Sequence, residues 1–343
     1  MYDNIQTIRY MGNKNKLLDF IIPEIEKITT PKSIVCDLMS GTNCIGYALK
    51  SRYTIYANDV QKYSECIAKA LIENNLVIIS KNSCKEDLEE NYKKNLKELE
   101  YDFFYKTYSD TYFSDLQCKD IDSIRFAIQQ INDENKRNLY LTALMSVMCK
   151  VQSTTGHFAQ FMPKDHKRII PLRNMNVWNE FIDKCEDFKI IINNKMNNKS
   201  FNLDYKKLIK LEEMKNVETF YLDSPYSGEQ YSRFYHILET VVKYDNPDVS
   251  YKAKYRNDRF MSDFCYKNKV SNEFENIIKY CKTNNSNLVI SYSNKGVISC
   301  EKLEGLCRKY YDNVEIKTYD YKHSTQGKGN NKLLEYLYIL RRS

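Results

Sequence analysis

Short apolar segments alternate with helical segments at both ends of the chain, and this alternation restricts the fold more than any other feature of the sequence. Residues 33–38 (SIVCDL) are apolar, residues 44–50 have helical character, and residues 54–59 (TIYAND) form a second apolar segment that ends in an acid. The same alternation resumes at residues 218–222 (ETFYL) and at residues 287–293. It is typical of an α/β fold, in which helices connect the strands of one sheet.

The middle of the chain follows a different pattern. Residues 85–212 consist mainly of polar and charged helical segments, separated by loops that carry aromatic residues, and no strand alternates with them. We therefore predict two domains: an α/β domain of residues 1–84 and 213–343, and a mainly helical domain of residues 85–212 inserted into it. The asparagine-rich residues 193–202 are the best candidate for a linker.

Composition excludes several classes of protein. Hydrophobic residues make up 42% of the 343 residues, as in ordinary globular proteins, and no apolar run is long enough to span a membrane. The eleven cysteines form no C-x-x-C pair, so we expect reduced, mostly buried thiols and no metal site. The N-terminus lacks the apolar run of a signal peptide, and we expect a cytoplasmic protein. The net charge of +7 is compatible with a polyanionic partner but is weak evidence for one.

The loop after the first apolar segment has the composition of a ligand-binding turn. It begins at Asp37 and contains Gly41 and Gly46, and such small residues allow a ligand to approach the backbone. The loop has neither the lysine of a P-loop nor the spacing of the dinucleotide motif. Asp59 ends the second segment, where an acid in such folds binds ribose hydroxyls. An ordinary strand-to-helix turn, and a helix-capping role for Asp59, are the open alternatives.

The most specific motif is the run of Asp223, Ser224, Pro225 and Tyr226 directly after the apolar residues 218–222. Open α/β sheets have their active sites at this end of a strand. An exocyclic amine is a poor nucleophile because its lone pair is delocalised, and a carboxylate at 223 with the carbonyl of 224 would accept both amine hydrogens. Pro225 would stiffen the turn, and Tyr226 would offer a flat face to a flipped base. A simple β-turn, with Tyr226 in the core, is the alternative.

Taken together, these motifs resemble the adenine-specific DNA methyltransferases of the Dam-like D12 class, the α-ordered group. Besides the run at 223–226, the resemblance rests on the N-terminal residues 10–14 (YMGNK), the loop at 37–46 and the acid at 59. The family also has its helical insert between the cofactor and catalytic parts. The resemblance covers most of the chain. It implies a Rossmann-like sheet that binds S-adenosylmethionine, with an inserted target-recognition domain.

The resemblance further implies which residues act. Asp223 would lie between the cofactor and the base. Ser224 departs from the first proline of the family's D-P-P-Y motif, although the role proposed there belongs to its backbone carbonyl. Asn43 replaces a small residue in the cofactor loop, although asparagine tolerates a positive φ better than most residues. The residues that would hold the cofactor are Tyr10, Met11, Gly12, Lys14, Asp37, Gly41, Thr42, Asp59 and Asp223.

Other side chains are candidates for contact with double-stranded DNA. Some follow the catalytic motif, where aromatic and basic residues interleave, and others belong to a basic segment or to a histidine-containing loop. Packing in the core, a solvated basic face and an ordinary loop histidine are the respective alternatives. His323, beside Gln326, is a further candidate of the last kind. The six principal candidates are Arg233, Phe234, His236, His157, Lys254 and Arg256.

The predicted activity is site-specific transfer of a methyl group from S-adenosylmethionine to N6 of adenine, without a metal or a covalent intermediate. Methylation of cytosine C5 would need a Pro-Cys nucleophile, and none of the six prolines precedes a cysteine. Methylation of cytosine N4, and a DNA-binding subunit with weakened catalysis, are the open alternatives. A cognate restriction endonuclease is a candidate partner. The recognition sequence cannot be derived from one chain.

Overall fold

The computed structural model describes residues 5–163, 165–320 and 333–342. Within these residues, seven strands form one sheet and two shorter strands form a small hairpin. In chain order the strands are β1 Ile34–Asp37, β2 Thr54–Asn58, β3 Lys199–Phe201, β4 Val217–Leu222, β5 Val249–Ser250, β6 Tyr255–Arg256, β7 Asn287–Ser293, β8 Val314–Asp320 and β9 Leu334–Leu340.

The large sheet has the strand order β3-β2-β1-β4-β7-β9-β8. Its first five strands are parallel, and β9 runs antiparallel to both of its neighbours. β4 and β7 are buried along their whole length, as expected for parallel strands covered on both faces. The strand order reverses between β1 and β4, and ligands bind beyond the carboxyl ends of the strands at such a point. The predicted α/β class with a Rossmann-like sheet is confirmed.

Helices cover both faces of the sheet and form most of the segment between β2 and β3. In the described residues the α-helices are α1 Leu18–Ile28, α2 Cys44–Leu49, α3 Lys62–Ala68, α4 Lys81–Glu98, α5 Phe103–Tyr108, α6 Asp115–Gln129, α7 Glu134–Val151, α8 Ile169–Arg173, α9 Val177–Cys185, α10 Tyr205–Leu208, α11 Tyr231–Phe234, α12 His236–Lys243, α13 Val270–Thr283 and α14 Cys300–Tyr310.

The two faces of the sheet bury two separate hydrophobic cores. Successive side chains of a strand point to opposite faces. On one face, Tyr221 and Val289 pack with α1, α2, α3, α7 and α12; on the other, Phe220 and Leu288 pack with α13 and α14. The sheet is therefore the middle layer of three, and its strand ends are held rigidly at the edge where the predicted site lies.

The predicted insert is mainly helical, from α4 to α9. Ser80 and Ser114 cap α4 and α6 with reciprocal hydrogen bonds to the third residue of each helix, which fixes where both helices begin. Tyr92 of α4 stacks on Trp178 of α9, with 4.0 Å between ring centroids. The buried residues of these helices continue the core on one face of the sheet. The division of the chain into two domains remains a prediction.

The asparagine-rich residues 193–202 do not form a linker. They include β3, the edge strand that pairs with β2. The side-chain amide of Asn194 donates hydrogen bonds to the carbonyl oxygens of Lys50, at 2.7 Å, and of Tyr53, at 3.1 Å. The predicted linker is wrong because these asparagines bind backbone groups near the edge of the sheet. Part of the range predicted as the insert therefore belongs to the sheet.

None of the helices in the described residues is long and apolar enough to cross a membrane. All eleven cysteines are free, and most of them are buried, as predicted. The described part of the chain contains no cluster of three or more His, Cys, Asp or Glu side chains that could hold a metal ion.

Candidate active site

A cavity of about 360 Å³ opens at the carboxyl ends of β1, β2 and β4. Its walls come from the N-terminal segment before α1, from the loops after these strands and from residues 260–264. The volume is in the range of small-molecule sites. All the predicted cofactor-binding and catalytic residues line this one cavity: Tyr10, Met11, Gly12, Lys14, Asp37, Gly41, Thr42, Asp59, Asp223, Ser224, Pro225 and Tyr226.

Two residues with positive φ turn the loop after β1 so that its backbone stays close to the cavity. Gly41 has a φ of +48°, and a Cβ atom there would lie 3.4 Å from the ring of Tyr10. Asn43 has a φ of +61° immediately before α2. Its side-chain amide donates a hydrogen bond to the carbonyl of Ser64 at 3.0 Å. The asparagine that departs from the family pattern is thus accommodated in the conformation that we expected.

Asp59 joins the loops that follow β1 and β2. Its Oδ2 accepts a hydrogen bond from the backbone N–H of Gly41 at 3.0 Å, and its Oδ1 accepts one from Gln61 at 2.8 Å. Burial raises the pKa of Asp59 to about 6, against the effect of these hydrogen bonds. The acid therefore shapes the floor of the cavity as well as lining it.

The N-terminal segment lies over the cavity and is fastened by aromatic residues. The ring of Tyr10 stacks on Tyr235, with 4.5 Å between centroids. The hydroxyl of Tyr235 accepts a hydrogen bond from the backbone N–H of Met11 at 2.6 Å. Gly12 has a φ of +77°, which lets the chain turn towards Lys14. These contacts place Lys14, only 2% exposed, at the base of the cavity.

Lys14 connects two acidic side chains that are distant in the sequence. Its Nζ lies 3.0 Å from Oδ1 of Asp223, 3.1 Å from Oε1 of Glu335 and 4.4 Å from the centre of the Tyr226 ring. The hydroxyl of Tyr226 hydrogen-bonds to Oδ1 of Asp223 and lies 3.1 Å from Oε1 of Glu335. Glu335 also accepts a hydrogen bond from Ser291 at 2.6 Å. The predicted catalytic motif is thus connected to the N-terminal segment and to β9.

The carboxylates around the cavity favour a cationic ligand. Burial, with a smaller contribution from the charge of Glu335, raises the pKa of Asp223 to about 7, although Lys14 acts in the opposite direction. Burial also raises the pKa of Asp37 well above its usual range, and the charges of Asp223 and Asp59 add to this effect. Oδ1 of Asp37 is buried and has no hydrogen-bond partner among the described residues. A cationic group beside Asp37 would stabilise the ionised carboxylate and so offset the free-energy cost of burying it.

Ser224 and Pro225 complete the motif. Ser224 is 2% exposed, and its hydroxyl oxygen has no hydrogen-bond partner among the described residues. Pro225 is half-buried at the cavity wall. Both residues lie beside Asp223, as the sequence predicts for a turn that ends β4.

Two of the residues predicted to contact DNA, Arg233 and His157, have side chains that solvent can reach. Arg233 on α11 is 44% exposed, with its guanidinium 2.8 Å from a carboxylate oxygen of Glu229 and 3.1 Å from the hydroxyl of Tyr255. His157 is partly exposed, and its ring lies 4.7 Å from the buried ring of Phe234. Arg233 and His157 therefore remain candidates for DNA contact, whereas Phe234 is buried in the core, so its predicted DNA contact is wrong.

Two more of these residues are engaged by the protein itself. His236 is buried, and its Nε2 hydrogen-bonds to the carbonyl of Phe158 at 3.0 Å. Burial lowers the pKa of His236 to about 3, so its ring is neutral. The ammonium group of Lys254 hydrogen-bonds to the carbonyl of Thr107. The predicted DNA contact of His236 is thus inconsistent with its position. His323 lies outside the described residues.

Arg256 is the clearest correction among the predicted DNA contacts. Its side chain is 1% exposed. The guanidinium makes two hydrogen bonds to Asp245, at 2.7 and 2.8 Å, and two to Asp258, at 2.9 and 2.8 Å. These hydrogen bonds lower the pKa of both aspartates. The basic run in the sequence suggests a phosphate contact, but the guanidinium is saturated by internal carboxylates and is closed to solvent.

Arg256→Ala is therefore expected to reduce stability. Breaking a buried ion pair costs several kcal/mol, and because both aspartates are about half exposed we expect a loss of roughly 2 to 3 kcal/mol in the free energy of unfolding. Urea denaturation would measure it. Lys252→Ala, at an exposed position of the same segment, should change the free energy by less than about 0.5 kcal/mol. A loss of DNA affinity at unchanged stability would contradict this interpretation of Arg256.

Sequence reasoning missed Glu335, Ser291 and Tyr235. Glu335 is 2% exposed and lies in the otherwise apolar strand β9. Glutamate is rarely buried unless it has a partner, so an acid in an apolar strand was a usable signal. Ser291 and Tyr235 carry no such signal, because their roles depend on contacts with residues far away in the chain.

Comparisons with known proteins identify the family of the chain. The family model described as D12 class N6 adenine-specific DNA methyltransferase matches residues 10–306. The chain is 28% identical to Modification methylase LlaI of Lactococcus lactis subsp. lactis over 97% of its own length, and 29% identical to Modification methylase StsI of Streptococcus sanguinis over 98%. It spans 54% and 52% of these relatives, about half of their length. It is 24% identical to Type II methyltransferase M.NlaIII of Neisseria lactamica, over 98% of this chain and 100% of that protein.

Proposed function

The chain belongs to the D12 class of N6 adenine-specific DNA methyltransferases, and from this we propose that it transfers a methyl group from S-adenosylmethionine to N6 of adenine in double-stranded DNA. The observation that carries the proposal is the meeting of Lys14, Asp37, Asp59 and Asp223 around one cavity. A cationic methyl donor and an exocyclic amine are the two groups that such an arrangement of carboxylates favours.

The residues of the cavity suit S-adenosylmethionine. The unpartnered, buried oxygen of Asp37 fits an ammonium group, and Asp59 lies where ribose hydroxyls are bound in such folds. Gly41 leaves room that a Cβ atom would occupy beside Tyr10. When bound, this cofactor supplies an electrophilic methyl group on a sulfonium. We propose that it is held by Tyr10, Met11, Gly12, Lys14, Asp37, Gly41, Thr42 and Asp59, next to Asp223.

Asp223 is proposed to make the amine nucleophilic. Among the described residues, its ion pair with Lys14 and its hydrogen bond from Tyr226 both fall on Oδ1. Oδ2 therefore remains available to accept a hydrogen bond from the amine. Together with the backbone carbonyl of Ser224, it would hold both amine hydrogens as the nitrogen becomes tetrahedral. The transfer needs no covalent bond between protein and base.

The nitrogen becomes cationic when it is methylated and must then release one proton. A carboxylate with a pKa near 7 at hydrogen-bond distance is a suitable acceptor. Lys14 favours the ionised form of Asp223 before transfer, because its charge opposes the effect of burial. Asp223 is thus proposed to act first as a hydrogen-bond acceptor and then as the acceptor of the proton.

The base must leave the duplex to reach this cavity. One face of the Tyr226 ring contacts Nζ of Lys14, and the ring meets Tyr292 in an edge-to-face arrangement at 5.6 Å between centroids. We propose that the flipped adenine stacks on Tyr226, whose ring is held by Lys14 and Tyr292. Sequence recognition is assigned to the helical residues 85–212.

The partners follow from the same proposal. Double-stranded DNA is the substrate, and a cognate restriction endonuclease is a candidate partner because several relatives are named as modification methylases or Type II methyltransferases. We propose no metal and no membrane partner.

Analysis of the product tests the proposed reaction. The purified protein would be incubated with unmethylated duplex DNA and methyl-labelled S-adenosylmethionine, and the DNA digested to nucleosides for chromatography. Label in N6-methyl-2′-deoxyadenosine is expected. Label in N4-methyl-2′-deoxycytidine would overturn the assignment of the base but leave the proposed activation of an exocyclic amine in place. No label, with cofactor and DNA both bound, would favour a DNA-binding subunit with weakened catalysis.

Arg233 offers a test of the DNA surface. Arg233→Ala is expected to weaken DNA affinity several-fold, because a phosphate contact would be lost, and to reduce the slope of log K against log salt by about 1. Fluorescence anisotropy over a range of salt concentrations would measure both. Arg308→Ala is the matched control, because Arg308 also pairs with a glutamate four residues earlier but lies on α14, away from the cavity. Equal effects of the two substitutions would contradict the assignment of Arg233.

A further inference from the structure

We propose that Glu335 is a positioning residue: it holds Lys14 and Tyr226 on one oxygen of Asp223 and so keeps the other oxygen for the substrate amine. The inference rests on the proposed function, because the substrate amine is part of that function. The arrangement of the four side chains, however, stands on contacts within the protein. Glu335 is 109 residues from Tyr226 along the chain, and only the fold brings the two together.

A single oxygen of Glu335 lies beside one ammonium group and two hydroxyl groups. Oε1 lies 3.1 Å from Nζ of Lys14, 3.1 Å from the hydroxyl of Tyr226 and 2.6 Å from the hydroxyl of Ser291. The first two of these groups also contact Asp223. Glu335 therefore contacts the same two groups that contact Asp223, from a strand that is distant in the sequence from residues 223–226.

The position of Glu335 is rigid because its strand is central in the antiparallel part of the sheet. β9 pairs with β7 on one side and with β8 on the other, and Glu335 pairs with Ser293. Just before it, the carbonyl of Leu334 accepts a hydrogen bond from Asn294 at 3.0 Å. A buried acid on such a strand can hold the side chains of Lys14 and Tyr226 in fixed positions.

The charges around Asp223 make the role testable. Lys14 is one cation between two carboxylates, and the hydroxyl of Tyr226 has one hydrogen to donate to either of them. With a neutral side chain at 335, Lys14 and Tyr226 would stabilise the negative charge of Asp223 alone. The pKa of Asp223 would then be lower. The titratable groups that face Asp223 are Lys14 before α1, Asp37 at the end of β1, Cys44 in α2, Tyr221 in β4, Tyr226 in the loop after it, Tyr231 in α11 and Glu335 in β9.

Glu335→Gln is the direct test, because glutamine keeps the size and one acceptor oxygen but removes the charge. We expect the acidic limb of the pH profile of kcat to move to lower pH, and kcat on its plateau to fall roughly tenfold as the orientation of Asp223 loosens. Lys14→Gln should move the acidic limb in the opposite direction. A residue that only supported folding would shift neither limb.

Glu218→Gln is the matched control. Glu218 lies at the other end of β4, is 9% exposed, and likewise binds a hydroxyl, that of Thr30, and a cation, that of Arg342. This variant should leave the pH profile and kcat unchanged. Equal shifts in the two glutamate variants would overturn the proposal.

A titration that does not require activity separates this inference from the proposed function. Protein with carbon-13 in its aspartate carboxyl groups would be titrated by NMR, and the Asp223 resonance identified by its loss in Asp223→Asn. In Glu335→Gln the resonance should titrate at lower pH than in the unsubstituted protein, and in Lys14→Gln at higher pH. An unmoved resonance would refute the role of Glu335 even in an active enzyme. The expected movement in a protein that transfers no methyl group would refute the proposed function alone.

Discussion

Asp223→Ala is expected to abolish methyl transfer, with a fall of about a thousandfold or more in the single-turnover rate. The variant loses the only side-chain acceptor that we assign to the amine, and removing one such group from a preorganised site costs a factor of about 100 to 1,000. The loss of the proton acceptor should lower the rate further. DNA affinity should stay within about twofold, because the carboxylate lies inside the cavity and makes no phosphate contact.

Rapid-quench measurement of the methylated product, beside fluorescence anisotropy for DNA affinity, would test this prediction. Asp312→Ala is the control, because Asp312 is exposed in the loop between α14 and β8. It should keep the full rate. If Asp223→Ala retained more than about a tenth of the rate, a different residue would have to activate the amine.

Asp37→Asn is expected to weaken cofactor binding and, at the same time, to stabilise the ligand-free protein. Burial raises the pKa of Asp37 well above its usual range, and one carboxylate oxygen has no partner among the described residues. In the unfolded chain an aspartate ionises near pH 4. Folding therefore costs more as the pH rises above about 4, until the folded pKa is reached. Asparagine removes this penalty at neutral pH.

The size of both effects follows from the cost of a buried, unsatisfied polar group. We expect a gain of about 1 to 3 kcal/mol in the free energy of unfolding at pH 8, and a 10-fold or greater loss of affinity for S-adenosylmethionine, because a hydrogen bond to a charged group is lost. Thermal unfolding without ligand and calorimetric titration with the cofactor would measure them. The gain in stability should shrink as the pH falls towards 4.

Asp183→Asn is the control for Asp37→Asn. Asp183 is 66% exposed on α9 and pairs with Lys81, so its replacement should change neither quantity measurably. A loss of stability in Asp37→Asn at pH 8 would show that Asp37 serves the fold rather than the ligand. Unchanged cofactor affinity would remove Asp37 from the proposed binding set.

Much of the site could be predicted from the sequence because it follows from strand ends. β1, β2 and β4 are short apolar segments, and in a parallel sheet the residues that follow such strands meet at one edge. Asp37, Asp59 and Asp223 each lie within one residue of the end of a strand. Their convergence in one cavity needs no knowledge of side-chain contacts. Motif order was therefore sufficient to place them together.

The parts that sequence reasoning missed depend on contacts that no local pattern encodes. Arg256 belongs to a run of basic residues, and only the positions of Asp245 and Asp258 decide that it is buried. β3 has three residues of intermediate burial, so pairing with β2 defines it rather than an apolar pattern. The pairing of Glu335 with Lys14 joins the first turn of the fold to its last strand.

The contacts of Lys14 explain why the N-terminal segment and β9 both contribute to one cavity. The N-terminal segment is held by Tyr235 through Tyr10 and Met11, and Lys14 then reaches Asp223 and Glu335. The catalytic motif is therefore oriented by groups from three separate stretches of sequence. We expect substitutions in any of these stretches to act on the same step.

We propose that this cavity methylates adenine at a defined sequence in DNA. Sequencing that detects modified bases on unmethylated plasmid, after incubation with the protein and S-adenosylmethionine, tests it most directly when Asp223→Ala is run in parallel. We predict N6-methyladenine in one sequence context with the unsubstituted protein and none with the variant. The absence of any mark with the unsubstituted protein, or a mark that persists in Asp223→Ala, would refute the proposed reaction at this site.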